Sequence, residues 1–345
     1  MRCTNNSRNL RRRRRLQRRR RKIRRIILGT LSVVILCAAA GIGYYFYQDS
    51  QRNYTAEYER STYNRSLSQG SMFAENLCVA AADVPLSGFT DNTELHGAGL
   101  FDLDNHSVLY GYHLYDQLYP ASTTKVMTAY VALKYGTLTD TVTVSEHAVD
   151  LDWDSSVCGL QAGDTLTLYD LLCGLMLQSG NDAGIAIAEH VAGSEEAFVQ
   201  MMNEEALKLG ATGTHFANPH GLQDANHYTT AYDLYLMFNA AVQNDTFREI
   251  IELTTYSVAI TGADGAQRTE EWKPTNFYAV GDAQAPEGVK VLGGKTGTTD
   301  EAGSCLILYS EDLENHPYIS IVMGADDKPI LYDEMTALLA VGVAN

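Results

Sequence analysis

Pro120-Ala-Ser-Thr-Thr-Lys-Val-Met-Thr-Ala-Tyr-Val-Ala-Leu-Lys-Tyr-Gly136 reads as a helix from its punctuation, with proline just before the start and glycine at the stop. The helix is predicted to open at Ser122. Ser122 and Lys125 are then i and i+3 and share one face of its first turn. Backbone N–H groups have no intrahelical partner there, so a hydroxyl at that place has a donor at hand for a developing oxyanion. A neutral serine hydroxyl is a weak nucleophile and needs a base. Lys125 can be that base only if its pKa falls well below about 10.4. Burial and a second cation both push it that way. Taken alone, the pair is equally an N-capped helix with a solvated lysine.

Working outward, two strand-like runs, Gly97 to Leu103 and Ser107 to His113, flank Asp104-Asn105-His106, a turn by composition. Downstream, Asp164 to Gln178 is predicted as a helix, with Thr167 and Asp170 spaced as a capping box. Further helices are predicted at Asp182 to Val191, Ser194 to Leu209 and Thr230 to Val242. The pattern then turns to strands at Val289 to Leu292, Ser304 to Tyr309 and Tyr318 to Gly324, before a last helix from Tyr332 to Val341. Strands stand at both ends and helices in the middle. The expected fold is α+β: a five-stranded antiparallel sheet built from both chain ends, flanked by helices, with a helical insertion.

Two more short motifs follow the first. Ser179-Gly-Asn181 comes after an apolar helix and by itself reads as a helix stop and restart. Lys295-Thr-Gly297, followed by Thr298, comes after Val289-Lys-Val-Leu-Gly-Gly294. Glycines beside a strand mark close approach of a ligand or of another backbone, although a hairpin turn has the same composition. Lys295 is also the candidate for the second cation beside Lys125.

Jointly, the three motifs stand in the order seen in serine penicillin-recognising enzymes, with S-G-N in place of S-D-N. Over roughly residues 95 to 342 the chain resembles the low-molecular-mass penicillin-binding proteins, the D-alanyl-D-alanine carboxypeptidases of peptidase family S11. Besides the motifs, the likeness lies in Tyr119-Pro-Ala-Ser, Asp182 with Glu189-His190, Asn218-Pro-His-Gly-Leu222, His227-Tyr-Thr-Thr-Ala-Tyr-Asp233, Gly293-Gly-Lys-Thr-Gly-Thr298 and Ala302-Gly-Ser-Cys305. The resemblance implies a DD-peptidase/β-lactamase-like fold and a D-Ala-D-Ala carboxypeptidase acting on peptidoglycan stem peptides. It also implies β-lactam antibiotics as covalent inhibitors and no cofactor. By the same resemblance, Ser122 would be acylated, Lys125 would take its proton, and Ser179 and Asn181 would relay protons and hold the substrate backbone. Lys295 and Thr296 would meet the substrate carboxylate, with Gly297 and Thr298 also counted as substrate-binding, and the N–H groups of Ser122 and Thr298 would form the oxyanion hole.

Two features depart from the family. Many members carry a C-terminal β-rich domain ending in an amphipathic helix, and no such pattern follows the last helix here. The segment Thr261 to Glu287 is also long and polar, so the rim of the site is expected to differ. A β-lactamase of the same fold is the alternative function; it needs a glutamate to position a deacylating water, and Glu204-Glu-Ala-Leu-Lys208 is the nearest candidate. A penicillin-sensing or wall-binding protein on a dead scaffold would have lost Ser122 or Lys125, and both are present. Endopeptidase activity would use the same site. His215, His220 and His227 invite a metal, but spacings of five and seven complete no zinc pattern, so no metal is expected.

The N-terminus addresses location. Residues 1–25 hold 14 Arg and Lys and no Asp or Glu, leaving 12 basic against 42 acidic residues beyond them, a net of −30. A domain that acidic is a poor nucleic-acid binder. Residues 26–46, IILGTLSVVILCAAAGIGYYF, are 21 residues without a charge. That length spans a hydrocarbon core, the basic flank marks the cytoplasmic side, and Tyr44, Tyr45 and Tyr47 sit where an aromatic belt would be. The expectation is a basic tail (1–25), an uncleaved membrane anchor (26–47), a polar stalk (48–76) and an extracytoplasmic catalytic domain (77–345) in the bacterial cell membrane. A cleaved signal peptide is the rival. Leu36 before Cys37 argues against lipidation. Cys173 and Cys305 read as buried free thiols, while Cys78 and Cys158 are left open.

Overall fold

The computed structural model describes residues 41–44 and 76–344. The first four are helical and belong to a unit of their own, residues 1–72; the fold below is that of the unit from residue 73 on. Nearly all of the expected tail, anchor and stalk therefore lies outside the described residues. Among the described residues, no helix is long and apolar enough to cross a membrane.

The five-stranded sheet is present, all antiparallel, in the order β2 (Ser107–Tyr112), β1 (Gly97–Asp102), β9 (Pro317–Ala325), β8 (Gly303–Glu311), β7 (Lys290–Thr299). Both chain ends thus contribute, as the sequence pattern implied. Strand β8 explains itself by period-two alternation. Cys305 and Ile307 point into the large core shared with the helices, and Leu306 and Leu308 into a second core under the last helix, α9 (Lys328–Gly342). With both faces buried, the strand reads as an unbroken apolar run. Each such leucine contributes about 1.5–3 kcal/mol by leaving water.

The helical part comprises α1 (Lys125–Tyr135), α2 (Glu146–Val149), α3 (Leu168–Leu177), α4 (Asn181–Ala192), α5 (Glu195–Leu209), α6 (Ala231–Val242), α7 (Asp245–Glu252) and α8 (Phe277–Val280). The capping box at α3 is real: Asp170 N–H donates to Thr167 Oγ1 (3.1 Å) and Thr167 N–H to Asp170 Oδ2 (2.8 Å). It starts the helix at Leu168, later than expected, because Thr165–Thr167 is strand β4. Asp164 does not continue the helix; its carboxylate takes the Arg268 guanidinium in two hydrogen bonds.

Strand β4 belongs to a second, four-stranded sheet not foreseen from the sequence: β3 (Thr141–Thr143), β4, β5 (Tyr256–Thr261) and β6 (Gln267–Trp272). Two of its strands have three residues each, too short to show a period. The others flank the polar Gly262–Ala266 turn, which the sequence presented as loop. Strand β7 also corrects the expectation. It does not stop at Leu292 but runs through both glycines and the Lys295 motif to Thr299. A Cβ at Gly293 would lie 2.1 Å from Ile251 O, and one at Gly294 2.0 Å from Ile307 O. These glycines therefore keep the strand in place rather than end it.

All four described cysteines are buried free thiols, Cys78 and Cys158 included. The Cys78 Sγ–H donates to Asp102 O at 3.2 Å.

Candidate active site

Three elements meet where the motifs meet. Ala121–Thr124 forms a 3₁₀ turn that runs directly into α1 at Lys125. In a 3₁₀ turn residues three apart eclipse, and Lys125 Nζ lies 2.8 Å from Ser122 Oγ. Ala121 has φ +47°, a left-handed conformation that costs a non-glycine residue about 1–2 kcal/mol. Ser179, at the joint between α3 and α4, has φ +60°. Strain of this kind persists only where the surroundings impose it, and it gathers at working sites. Here it turns two hydroxyls out of regular helix.

Lys125 is fully buried. Its Nζ donates to Asn181 Oδ1 and to His220 O, both at 2.7 Å, besides facing Ser122. Burial, then the positive charge of Lys295, hold the Lys125 pKa well below the usual lysine range. Both forces are those the sequence argument required. Lys295 is buried on β7 and donates to Ser179 Oγ (2.9 Å) and to Thr296 O (2.8 Å). Burial pulls its own pKa down to about 7. The second and third motifs are thus joined by one hydrogen bond. Gly297 passes so close to the first that a Cβ there would be 2.9 Å from Ser122 N. Thr298 follows it, exposed.

The second motif is fastened from behind. Asn181 N–H donates to Ser156 O at 2.8 Å. The buried Asp182 carboxylate accepts from the N–H groups of Cys158 (2.8 Å), Leu160 (3.1 Å) and Ala183 (2.8 Å). Burial raises the Asp182 pKa while those N–H groups oppose the rise. On the far side, Thr275 N–H donates to Leu177 O (3.2 Å), just before Ser179, and its hydroxyl pairs with that of Thr296 (2.5 Å). The polar segment before the third motif therefore ties the end of α3 to β7.

Of the eight residues singled out from the sequence, Ser122, Lys125, Ser179, Asn181, Lys295, Thr296 and Gly297 are brought together by these contacts, and Thr298 follows Gly297 on β7. Sequence reasoning assigned no role to His220, whose backbone carbonyl holds Lys125, nor to Thr275. A carbonyl carries no residue signature; the sequence signal at residue 220 was its place in the Asn218-Pro-His-Gly-Leu222 stretch. Glu204 is exposed on α5, and Glu205 is buried against Lys134, Tyr135 and Lys208. The three histidines have separate partners: His215 the Asn226 carbonyl, His220 the Leu222 N–H, His227 the Thr124 hydroxyl.

This architecture is that of the DD-peptidases. The crystal structure of the Streptomyces K15 DD-transpeptidase superposes with a TM-score of 0.68 at 28% identity, covering 74% of this chain and 98% of that one. Residues 91–327 match the D-alanyl-D-alanine carboxypeptidase family model, and the chain belongs to that family. Among curated relatives, D-alanyl-D-alanine carboxypeptidase DacF of Bacillus subtilis is 34% identical over 254 residues, 71% of this chain and 61% of its own length. DacD of Escherichia coli is 32% identical over 294 residues, 81% of this chain and 72% of its own length. The chain thus spans about three fifths of the first relative.

Proposed function

We propose that the domain is a serine D-Ala-D-Ala carboxypeptidase that trims peptidoglycan stem pentapeptides and is acylated by β-lactams. The observation that carries this is the hydrogen-bond set of Lys125. An amide oxygen and a backbone carbonyl can only accept. When Lys125 is neutral, its two N–H bonds point to Asn181 Oδ1 and His220 O, and its lone pair is left for the Ser122 hydroxyl 2.8 Å away. Ser122 Oγ then attacks the carbonyl carbon of the penultimate D-Ala while its proton passes to Lys125. The N–H groups of Ser122 and Thr298 steady the oxyanion. The C–N bond breaks as the leaving D-Ala amine takes a proton through Ser179, which Lys295 supports at 2.9 Å. Water repeats the sequence on the ester. Lys295 and the Thr296 hydroxyl recognise the terminal carboxylate by charge-assisted hydrogen bonding.

The same proposal places the domain (77–345) outside the cytoplasmic membrane, carried by the stalk (48–76) and the anchor (26–47) with the basic tail (1–25) inside. Its support is the charge-free run behind 14 basic residues.

One experiment tests the whole reading. The full chain is recovered from membranes of expressing cells and given a labelled penicillin, a D-Ala-D-Ala pentapeptide and that peptide's C-terminal amide. The expected results are a mass adduct on Ser122, absent in Ser122→Ala, with release of one D-Ala. Efficiency on the amide should be roughly ten- to hundred-fold lower, the cost of leaving a buried cation without its partner. An adduct on another residue overturns the nucleophile. Equal cleavage of peptide and amide favours an endopeptidase. Activity found only in the soluble fraction overturns the anchor.

A further inference from the structure

We propose that His227 is a positioning residue for the nucleophile: through the Thr124 hydroxyl it fixes the carbonyl of Ala121, and with it the backbone at Ser122. This rests on the reading of Ser122 given above.

The chain of bonds has one consistent direction. Ala217 N–H donates to His227 Nδ1 at 3.0 Å. That ring nitrogen must therefore be the bare one, and the proton sits on Nε2. Nε2 lies 2.7 Å from Thr124 Oγ1 and donates to it. The Thr124 hydroxyl in turn donates to Ala121 O at 2.8 Å. Ala121 is the left-handed residue directly before Ser122. Its carbonyl is also pressed by Gly221, where a Cβ would lie 1.9 Å away. A peptide plane can swing between left- and right-handed settings of its neighbours, and such a swing at 121 would redirect both the Ser122 N–H and the Ser122 side chain. The relay holds that plane.

The anchor itself is rigid. His227 is 2% exposed and meets Phe216 edge to face at 5.6 Å. The residues after it are clamped by paired backbone bonds, His215 with Tyr228 and Leu118 with Thr229, all 2.8–2.9 Å. Leu118 itself lies only two residues before Pro120. The relay therefore ties the nucleophile's turn to a bridge that shares its own chain. Thr124 and His227 are both buried and the ring's Nε2 is taken by the Thr124 hydroxyl, so His227 acts through Thr124 and not on the reacting atoms.

The test measures acylation of Ser122 by penicillin, with kcat and KM on a D-Ala-D-Ala peptide, for the full-length parent and variants. Thr124→Val keeps the shape and removes the hydroxyl; Thr124→Ser restores it. In Thr124→Val and His227→Ala, acylation and kcat should fall about ten-fold or more, the scale of a small misplacement of a reacting group, with KM within about two-fold. Thr124→Ser should lie within about three-fold of the parent. The double variant should be no slower than the slower single, because both break one relay. Parent-like acylation in Thr124→Val, or losses that multiply in the double variant, overturns the proposal. If Thr124→Val does not fold, His227→Gln, which keeps a donor for Thr124, is compared with His227→Asn, which is too short. Equal rates in those two also overturn it. A parent that is not acylated on Ser122 refutes the nucleophile assignment, and this proposal with it.

Discussion

Lys125 shows how much one side chain depends on its setting. Two features of the chain announced it: a spacing of three from Ser122, and a second lysine motif downstream. Its partners were not announced. Two of its three hydrogen bonds go to Asn181, 56 residues on, and to the carbonyl of residue 220. The expected outcome for Lys125→Arg is therefore a loss as severe as for Lys125→Ala, about 10²-fold or more in acylation rate, the usual scale for a positioned base. Arginine keeps the positive charge but cannot give up its proton in a protein. Stopped-flow acylation with a chromogenic β-lactam measures it. An arginine variant within ten-fold of the parent would remove Lys125 from the base role.

At the scale of elements, strand β7 does two jobs with glycines. Gly293 and Gly294 let it pass α7 and β8, while Gly297 lets it pass the turn that carries Ser122. A Cβ at 297 would meet Ser122 N at 2.9 Å, Pro120 O at 3.0 Å and Thr123 N at 3.0 Å. All three are backbone atoms and none can rotate away. Gly297→Ala should therefore push β7 off the turn, slowing acylation by about 10²-fold and costing about 1–3 kcal/mol of stability. Acylation kinetics beside thermal melts would check both. A variant that acylates at the parent rate would show that the strand can shift without disturbing Ser122. The sequence showed the glycines but placed them at a strand's end, because glycine is normally a breaker. Only the contact with Ile251 and Ile307 says otherwise. The helices were easier, since α4, α5 and α6 carry caps and apolar faces within their own spans.

Across the whole domain, buried neutral histidines link the site to stability. Burial, before the nearby Lys125 charge, lowers His220 to about 3; burial also lowers His227 to about 4. In the unfolded chain both titrate near 6.5. Below that pH the unfolded state binds more protons than the native state, so stability that is present above about 6.5 is lost as pH falls toward 4 and then 3. Each histidine contributes at most about 1.4 kcal/mol per pH unit in that window. Thermal unfolding of the parent should therefore weaken from pH 6.5 to 5, above the range of ordinary carboxylates. His227→Gln should show a shallower slope over the same interval. Identical slopes would mean that His227 is not held neutral in the fold.

The chain by itself determined what local pattern can carry. It set the α+β class and the five strands drawn from both ends, because alternation and helical period act over a few residues. It set the family, through motifs whose residue types are dictated by chemistry. Tertiary structure alone decided the rest. The second sheet has strands too short for a period. The length of β7 depends on what its glycines touch. The depressed pKa of Lys125 and the neutrality of the two histidines come from burial by distant segments. The hold on Lys125 by a carbonyl, and the relay from His227 to Ala121, join atoms about a hundred residues apart. Hydrogen bonds made by backbone groups look alike at every position of a sequence, and only folding selects which of them meet.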